Sequence, residues 1–394
     1  MKKVLLFIVC LFLSITSINA LDLDFYSKNI ILYNYDRDEV IYEEKADEVV
    51  SIASMTKIMT SLVLIENIDN LDKKVVLEDK HFAGLKEAYA SLAGFRLGQT
   101  VTYRDLLSGI LIPSGADAVQ TLAIEVFGSN EILVEKMNEK ARELNLQSTH
   151  FANPFGLDDD EHYSTVREVS IILKEALKND LFKEIYTTRK YLTSDLSITF
   201  YSTIVEPLNM LNQSAPFIKG SKTGFTGKAG RCLSSLAYDE ENDIYYLMIT
   251  TGAKERVEPV LDAINTYEYI FDNYSNHIVF KQGDIAKEVS TTFAKEKKVN
   301  LMISEDIIIF HENDSYDESK LTYTYNVPNR ITKILKDGSK VGTLTVFYDG
   351  NEVKTIDLVL DGDMHFSIVR LIFKVFIPLG ILMIICILIF KERK

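Results

Sequence analysis

The chain is organised around residues 51–65, which read Ser51-Ile-Ala-Ser54-Met-Thr-Lys57-Ile-Met-Thr-Ser-Leu-Val-Leu-Ile65. The stretch holds neither Gly nor Pro, and its apolar residues recur at helical spacing, which predicts a buried helix. Residues three apart share a helix face, so the Ser54 hydroxyl and the Lys57 amine can come within hydrogen-bond reach. If Ser54 lies in the first turn, its backbone N–H is unpaired and can point at a developing oxyanion. The stretch therefore predicts a nucleophile beside a base.

A Ser-x-x-Lys pattern is weak evidence when it stands alone. Average composition gives on the order of one or two chance matches in a chain of this length. A solvated serine and lysine is the usual explanation of such a match. The case for chemistry at this helix therefore depends on the rest of the chain.

Composition places the chain among globular proteins and argues against nucleic acid as a partner. Of its 394 residues, 47% are apolar and 25% are charged, which is enough to bury one large core or two moderate ones. The formal net charge is -14. A phosphate-binding surface needs clustered Lys and Arg, and the sequence shows no such stripe.

The first twenty residues have the pattern of a secretory signal peptide. Lys2 and Lys3 precede an apolar block from Val4 to Leu13, and small or polar residues follow up to Ala20, where we expect cleavage. An uncleaved anchor is the alternative. Because Cys10 lies in the signal and Cys386 in the last apolar run, Cys232 has no partner for a disulfide within the soluble body.

A second apolar run, residues 366–390, predicts a C-terminal membrane anchor. The part from Leu371 to Phe390 would span about 30 Å as a helix, which is enough to cross a bilayer if Lys374 extends to the interface. The basic tail 391–394 would then be cytoplasmic and the body would lie outside the cell membrane. A helix lying in the membrane interface is the alternative, because Arg370 and Lys374 share a face.

Between these ends, residues 21–274 combine strands with helices. Two short strand patterns around residues 29–43 predict a hairpin, and two more at 231–238 and 244–251 predict an antiparallel pair. Residues 78–98 are expected to form surface loops. Helical patterns occupy residues 103–112, 116–126, 131–144, 164–184 and 255–273. Strands and helices from distant parts of the chain must meet, which indicates an α+β fold rather than a βαβ repeat.

Residues 275–363 are rich in strand patterns and predict a small all-β domain between the body and the membrane. Turn signals at Asp337-Gly338 and Asp349-Gly350 are expected to join the last strands as hairpins.

Two further motifs follow Ser54-x-x-Lys57 in order: Ser114-Gly-Ala116, and Lys222-Thr223-Gly224 at the start of a strand pattern. Together they resemble the serine-type D-alanyl-D-alanine carboxypeptidases, the low-molecular-mass penicillin-binding proteins of the β-lactamase and transpeptidase superfamily. The surrounding residues are similar to the family as well, as in Thr149-His-Phe-Ala-Asn-Pro-x-Gly-Leu157 and Lys222-Thr-Gly-Phe-Thr-Gly-Lys-Ala-Gly230. The resemblance covers essentially the whole chain.

The resemblance implies a β-lactamase/transpeptidase-like catalytic domain with an antiparallel sheet and helices, a small all-β domain and a C-terminal membrane helix. It also implies an enzyme that removes the terminal D-alanine from peptidoglycan stem peptides through an acyl-serine and that binds β-lactams covalently. No cofactor is expected, and no His, Cys, Asp and Glu spacing suggests a metal site.

The same resemblance assigns roles to individual residues. Ser54 would be the nucleophile and Lys57 its base, while Ser114 would pass a proton between Lys57 and the leaving amine. Lys222 and Thr223 would hold the terminal carboxylate of the peptide. Gly224 would let the backbone approach the substrate, and the N–H groups of Ser54 and Phe225 would form the oxyanion hole.

Lys57 can act as a base only when it is neutral. Moving a lysine pKa from about 10.4 to the 7–8 that suits a general base costs about 4 kcal/mol. We expect Lys222, as a second cation, and partial burial to supply this shift.

One position departs from the family pattern. The middle motif normally ends in Asn, which contacts the substrate amide and the catalytic lysine, but position 116 is Ala. Loss of that contact is worth about 1–3 kcal/mol if its partner stays buried. The enzyme is therefore expected to be weakened, retuned, or compensated by a neighbour such as Asp117.

Three alternatives to the carboxypeptidase remain. A class A β-lactamase would need a Glu-x-x-Leu-Asn motif, and Ala141-Arg-Glu-Leu-Asn145 has Ala in the Glu position. A transpeptidase of the same superfamily differs only in the acceptor that attacks the acyl-enzyme. A weakly active or non-catalytic protein that binds wall peptides is suggested by Ala116.

Other polar residues are expected to serve structure. His150 and His162 are expected to brace loops rather than to catalyse. Asn209 and Asn212 are expected either to orient the Ser114 loop or to form a plain turn. Arg231 either helps to bind a carboxylate or is a solvated strand residue.

Overall fold

The computed structural model describes residues 23–392. The predicted signal peptide, 1–20, lies outside the described residues, as does the end of the predicted basic tail. The chain divides into two compact units, the first ending at Asp272 and the second beginning at Asn273. Each unit has its own hydrophobic core.

The main sheet of the first unit is antiparallel and has the strand order β2-β1-β9-β8-β7. Its strands are β1 (Asn29–Asn34), β2 (Glu39–Glu44), β7 (Ile218–Thr226), β8 (Gly230–Asp239) and β9 (Ile244–Ala253). The predicted N-terminal hairpin and the predicted antiparallel pair are both confirmed. Because β7 forms one edge of the sheet, one side of its backbone has no neighbouring strand.

Helices surround the sheet and enclose the core of the first unit. They are α1 (Thr56–Glu66), α2 (Tyr103–Leu111), α3 (Ala116–Leu122), α4 (Asn130–Glu143), α5 (Val166–Leu177), α6 (Asp180–Tyr186), α7 (Val205–Leu211) and α8 (Glu258–Asn273). Helix α1 is buried from Thr56 to Ile65, so it is the central helix that its sequence predicted.

One stretch predicted as a single helix is divided in the structure. Residues 164–184 form two helices, α5 and α6, instead of one, because the Asn179 side chain accepts hydrogen bonds from the first N–H groups of α6. Two small antiparallel pairs complete the unit: β3 (Lys74–Val76) with β4 (Thr100–Thr102), and β5 (Lys190–Leu192) with β6 (Thr199–Tyr201). The region 78–98 is irregular apart from one turn of 3-10 helix, as expected.

The second unit is strand-rich, as predicted. Its larger sheet has six strands in the order β14-β16-β17-β12-β11-β15, and β10 pairs with β13. The strands are β10 (Tyr274–Phe280), β11 (Ile285–Thr291), β12 (Lys298–Ile303), β13 (Ile307–Glu312), β14 (Leu321–Asn326), β15 (Arg330–Ile331), β16 (Lys340–Tyr348) and β17 (Asn351–Leu360).

The two turn signals of this unit have different outcomes. Asp349-Gly350 joins the paired strands β16 and β17, as predicted. The prediction for Asp337-Gly338 is wrong, because β15 before it pairs with β11 whereas β16 after it pairs with β14 and β17. The Gly338 N–H instead donates to the carbonyl of Leu360, so this turn braces the end of β17.

The C-terminal segment is helical from Ile368, through α9 (Ile368–Leu371), a π-helical turn (Ile372–Phe376) and α10 (Ile377–Glu392). Within the described residues, Ile368–Lys391 is a helix long and apolar enough to cross a membrane, and none of it is buried by the protein. At its start, Arg370 donates to the hydroxyl of Thr291 and to the carbonyl of Glu296.

Candidate active site

Ser54 lies in the turn that opens the buried helix. A short 3-10 helix, Ala53–Met55, precedes α1 directly, so Ser54 and Lys57 are one turn apart. The Lys57 amine donates to the Ser54 hydroxyl over 3.0 Å, which confirms the predicted proximity. Within the described part of the chain, the Ser54 N–H has no hydrogen-bond partner and is free to meet a substrate oxygen.

Lys57 is buried, with 1% of its surface exposed. Burial lowers the pKa of its amine to about 7, against an opposing effect of the Asp117 charge. A large fraction of Lys57 is therefore neutral near neutral pH, as a general base requires. The amine has a second acceptor in the Phe155 carbonyl, at 2.7 Å.

Lys222 lies on β7 and is also buried, with 0% exposure. Its amine donates to the Thr223 carbonyl over 2.8 Å. Burial, and next the charge of Lys57, hold the pKa of Lys222 well below its ordinary value. The expected cause of the Lys57 shift is thereby revised, because burial lowers the Lys57 pKa and buried Lys222 is itself a poor cation.

Gly224 brings β7 against the start of α1. A Cβ atom at this position would lie 3.0 Å from the Ser54 nitrogen and 3.0 Å from the Ala53 Cβ. Both distances are shorter than ordinary van der Waals contacts, so only glycine fits without moving the strand. The backbone of β7 therefore runs directly beside Ser54.

Ser114 lies in the loop before α3 and, with Ser54, lines one cavity. Its backbone is in the left-handed region, with φ of 70°, and its carbonyl accepts a hydrogen bond of 2.6 Å from the Ser91 hydroxyl. Among the described residues its own hydroxyl has no partner, although it is buried. Ser114 thus lines the same cavity as Ser54 without a hydrogen bond to Lys57.

Ala116 and Asp117 occupy the first turn of α3. Ala116 is fully buried and offers no polar side-chain atom. The Asp117 carboxylate accepts hydrogen bonds from the N–H groups of Ala93, Gly94 and Phe95 at 2.8, 3.2 and 3.3 Å. The idea that Asp117 replaces the missing Asn is wrong, because its side chain holds this loop and acts on Lys57 only through its charge.

A cavity of about 370 Å³ opens in front of Ser54. Its wall includes Ser54, Ser91, Ser114, Thr203, Thr223, Gly224, Phe225, Arg231, Cys232 and Arg256. No Asp or Glu is among its lining residues, and neither Lys57 nor Lys222 is exposed in it. The two lysines therefore lie behind the wall, while two arginines face the space where a ligand would bind.

Arg231 is a cavity residue rather than a solvated strand residue. Its guanidinium lies over the Phe225 ring, 3.8 Å from the ring centre. Its Nε is buried and has no hydrogen-bond partner among the described residues. Burial, with the neighbouring charge of Arg256, lowers the Arg231 pKa. The carboxylate-binding interpretation is therefore the one that the geometry favours.

His162 and His150 brace the site from outside, as predicted. The Nε2 of His162 lies 2.7 Å from the Thr56 hydroxyl, and its Nδ1 accepts from the Ala152 N–H at 3.2 Å. Burial lowers the pKa of His162 to about 4, so its ring is neutral near pH 7. His150 holds the Glu161 carbonyl at the surface.

The two asparagines of α7 fit the turn interpretation. Asn212 is in the left-handed conformation, with φ of 55°, and ends the helix, while Asn209 is exposed. In the described ranges no hydrogen bond joins either side chain to the Ser114 loop. The same ranges hold no cluster of three or more His, Cys, Asp or Glu side chains that could bind a metal.

Sequence reasoning missed two parts of this site. One is the Phe155 carbonyl, a main-chain atom that any residue type would supply. The other is Arg256, which follows β9 outside any of the motifs and forms an exposed ion pair of 2.5 Å with Glu206. Neither position carries a local sequence signal for a role at Ser54.

Comparisons with known proteins agree with this architecture. Residues 16–253 match the family model described as D-alanyl-D-alanine carboxypeptidase, and residues 274–365 match the C-terminal domain of penicillin-binding protein 5. The D-alanyl-D-alanine carboxypeptidase DacF of Bacillus subtilis is 30% identical over 343 residues, which cover 86% of each chain. A D-alanyl-D-alanine carboxypeptidase from Streptomyces is 34% identical over 49% of this chain and 70% of its own length.

Two solved structures are similar over most of their own length. Penicillin-binding protein 5 from Haemophilus influenzae aligns with a TM-score of 0.67 at 21% identity, covering 88% of this chain and 99% of that one. A Streptomyces DD-transpeptidase aligns with a TM-score of 0.57 at 28% identity, covering 62% of this chain and 97% of that one. The predicted α+β fold class is therefore confirmed.

Proposed function

Because this chain belongs to the D-alanyl-D-alanine carboxypeptidase family, we propose that Ser54, Lys57 and Ser114 carry out its reaction at the cavity described above. The protein is a serine-type D-Ala-D-Ala carboxypeptidase, a hydrolase of cell-wall biogenesis that binds penicillin. The observation that carries the site assignment is the 3.0 Å hydrogen bond between the Lys57 amine and the Ser54 hydroxyl.

Acylation begins when neutral Lys57 takes the Ser54 proton and Ser54 Oγ attacks the carbonyl carbon of the D-Ala-D-Ala amide. Burial keeps the Lys57 pKa near 7, so the base is available without a metal or a histidine. The partnerless Ser114 hydroxyl at the cavity is free to relay that proton to the leaving D-alanine nitrogen. Water then hydrolyses the ester and regenerates Ser54.

The oxyanion of the tetrahedral intermediate is held by two backbone N–H groups, those of Ser54 and Phe225. The unpaired Ser54 N–H and the close approach of Gly224 to it support this assignment. Donors fixed in the backbone need no reorganisation when the charge develops, which makes them effective in a partly buried site.

The stem peptide binds along the free edge of β7. An edge strand offers unpaired backbone groups, and an extended peptide can add to it as a further strand. The Thr223 hydroxyl, which lies at the cavity wall, meets the terminal carboxylate, while buried Lys222 lies behind it as a poor cation. Since Lys222 is buried, Arg231 and Arg256 are the cations that face the carboxylate across the cavity.

A β-lactam acylates the same serine, because its strained amide occupies the place of the D-Ala-D-Ala amide. Transfer to a second amine in place of water is the other outcome for the acyl-enzyme. Relatives from Streptomyces are described both as a D-alanyl-D-alanine carboxypeptidase and as a DD-transpeptidase, which keeps transpeptidation as the second candidate function.

The catalytic unit acts outside the cell membrane, to which the C-terminal helix anchors it. The apolar helix Ile368–Lys391 supports the anchor, and the N-terminal sequence up to Ala20 supports export. The substrate then lies on the same side of the membrane as the active site.

The test is D-alanine release from diacetyl-Lys-D-Ala-D-Ala by the full-length protein in detergent, beside Ser54→Ala. We expect release by the parent protein and none by the variant, which should also fail to bind labelled penicillin covalently. Release or labelling that survives Ser54→Ala would contradict the assignment. Labelling without release would favour transpeptidation or a non-catalytic binding protein.

A further inference from the structure

The turn formed by residues 153–157 meets the start of α1 through its main chain. Thr60 donates to the Pro154 carbonyl over 2.8 Å, and Lys57 donates to the Phe155 carbonyl over 2.7 Å. Gly156 lies so close to α1 that a Cβ atom there would be 2.0 Å from the Ala53 oxygen. Two successive carbonyl groups of the turn are therefore aimed at the helix that carries the base.

One side chain, that of Asn153, holds this turn. Its Oδ1 accepts hydrogen bonds from the N–H groups of Phe155, Gly156 and Leu157 at 3.1, 2.9 and 3.1 Å. Its Nδ2 donates to the Leu157 carbonyl over 3.0 Å. A single carboxamide thus satisfies three consecutive N–H groups.

This pattern fixes the direction of the Phe155 carbonyl. In a trans peptide unit the C=O of one residue points opposite to the N–H of the next. Because Asn153 holds the Gly156 N–H on one side of the turn, the Phe155 C=O of the same peptide unit points to the other side, where Lys57 lies. The aim of this carbonyl is a consequence of the Asn153 hydrogen bonds.

We propose that Asn153 is a positioning residue for the reaction, which acts by holding the Phe155 carbonyl against the Lys57 amine so that the amine faces Ser54. The inference rests on the proposed role of Lys57 as the base. A neutral amine has two N–H groups and one lone pair. Once an N–H is committed to the Phe155 carbonyl, the lone pair can be directed at the Ser54 hydroxyl.

The alanine at position 116 makes this contact more important in this chain. Ala116 supplies no polar side-chain atom, and the partnerless Ser114 hydroxyl does not contact Lys57. Among the described residues the Lys57 amine therefore has only two hydrogen-bond acceptors, Ser54 itself and the Phe155 carbonyl. The turn is the one rigid partner of the base.

The charged and titratable groups around Lys57 are Lys222, Asp117 and His162. The hydrogen bonds of the Asn153 side chain go instead to Phe155, Gly156 and Leu157. A carbonyl acceptor favours the ammonium form of Lys57. If the Phe155 carbonyl no longer points at the amine, the pKa of Lys57 falls. A carboxylate at position 153 keeps the acceptor oxygen for the three N–H groups, loses the donor to the Leu157 carbonyl and adds a negative charge, which raises the pKa of Lys57. The two substitutions thus act in opposite directions.

The experiment measures the second-order rate of acylation by benzylpenicillin from pH 5.5 to 9 with the full-length protein in detergent. The forms are the parent, Asn153→Ala, Asn153→Asp and the matched control Asn138→Ala. Asn138 exchanges two hydrogen bonds, of 2.8 and 3.0 Å, with the backbone of Phe151 in the same segment but does not contact the turn that meets Lys57.

We expect Asn153→Ala to lower the plateau of the acylation rate about tenfold or more, as is typical when a general base is misaligned. We also expect the acid limb of the profile, where the rate rises with pH as Lys57 loses its proton, to move to lower pH. Asn153→Asp should move the limb to higher pH. Asn138→Ala should leave the limb where the parent has it. A purely structural role would lower the rate without moving the limb.

An acid limb that stays in place in both Asn153 variants, or moves in the same direction in both, would overturn the proposal. If Asn153→Ala does not fold, Asn153→Asp carries the test alone, and an unmoved limb with that variant is then the contradicting result. Acylation that persists in Ser54→Ala would instead refute the proposed function, so the two failures are distinguishable.

Discussion

At the scale of single residues, burying the Lys57 amine lowers its pKa and thereby lowers the stability of the folded protein. Lys57 has a pKa of about 7 in the folded protein and about 10.4 when unfolded, a difference that opposes folding by roughly 4–5 kcal/mol at low pH. Between these two values the unfolded chain binds more protons than the folded one. The free energy of unfolding should therefore rise with pH from about 7 towards 10.

We expect Lys57→Met to abolish acylation and to increase the free energy of unfolding by about 2–4 kcal/mol at pH 6, because it removes a buried amine and keeps the volume filled. The difference between variant and parent should shrink by up to 1.4 kcal/mol per pH unit above pH 7, since the parent gains stability there. Urea unfolding at pH 6, 7.5 and 9 measures both effects. Equal pH dependence in the two proteins would contradict the low pKa.

Ala116→Asn should increase the rate of penicillin acylation about tenfold, a gain of about 1–2 kcal/mol, because in the family pattern an amide at this position contacts both the catalytic lysine and the substrate. Stopped-flow acylation with the parent as reference measures this. In the Ala116→Asn background, Asn153→Ala should cost less than in the parent, since Lys57 would have a second fixed acceptor. A lower acylation rate in Ala116→Asn than in the parent would show that the site accommodates alanine at this position better than asparagine.

The sequence was sufficient to propose the side chains of the reaction but not the atoms that orient them. Ser54, Lys57 and Ser114 belong to motifs in which residue type matters. The Phe155 carbonyl has no residue identity, and its direction depends on hydrogen bonds to Asn153 that spacing does not specify. The Lys222-Thr-Gly motif likewise does not indicate that Lys222 is buried, which is what makes it a poor cation.

At the scale of elements, the site depends on how closely β7 approaches the 3-10 turn before α1. Gly224→Ala would place a Cβ atom 3.0 Å from the Ser54 nitrogen and should lower acylation about a hundredfold, because the oxyanion donor and the edge of β7 move apart. Gly227→Ala, whose Cβ would lie 3.9 Å from the nearest atom, is the matched control. Equal rates for both variants would contradict the close approach.

Element types were predictable where the apolar pattern was long and regular, as in α1 and the hairpin of β1 and β2. The boundaries of the elements were less predictable than their types. The break between α5 and α6 depends on capping by the Asn179 side chain, and a helical period continues across it. The Asp337-Gly338 turn has the sequence signature of a hairpin. The strands on its two sides nevertheless pair with other strands, β15 with β11 and β16 with β14, because strand pairing depends on the whole sheet.

At the scale of the whole molecule, the β-rich unit extends beyond the predicted end at residue 363. Met364 is 5% exposed in its core, and Phe366 bridges to Ala294. A chain ending after Ser367 should therefore keep this unit intact, whereas one ending after Asp363 loses about 2 kcal/mol of apolar burial.

Both truncated chains lack the apolar helix and should remain in solution, while the full-length protein floats with lipid vesicles. Differential scanning calorimetry of the two truncated proteins compares the stability of the β-rich unit. The same unfolding temperature in both would show that Met364 contributes nothing to its core. Flotation of either truncated chain would contradict the assignment of membrane binding to the helix.

The strand order of the main sheet also determines when the catalytic unit can fold. Strand β1 lies between β2 and β9, with Asn29 opposite Thr251. Strand β1 therefore cannot pair with β9 until a segment more than 200 residues later in the sequence has been synthesised. Long-range pairing of this kind closes slowly, because loop entropy opposes it until the distant partner arrives. During synthesis the sheet cannot close, and the Lys222 strand cannot be set beside Ser54, until residue 253 has left the ribosome.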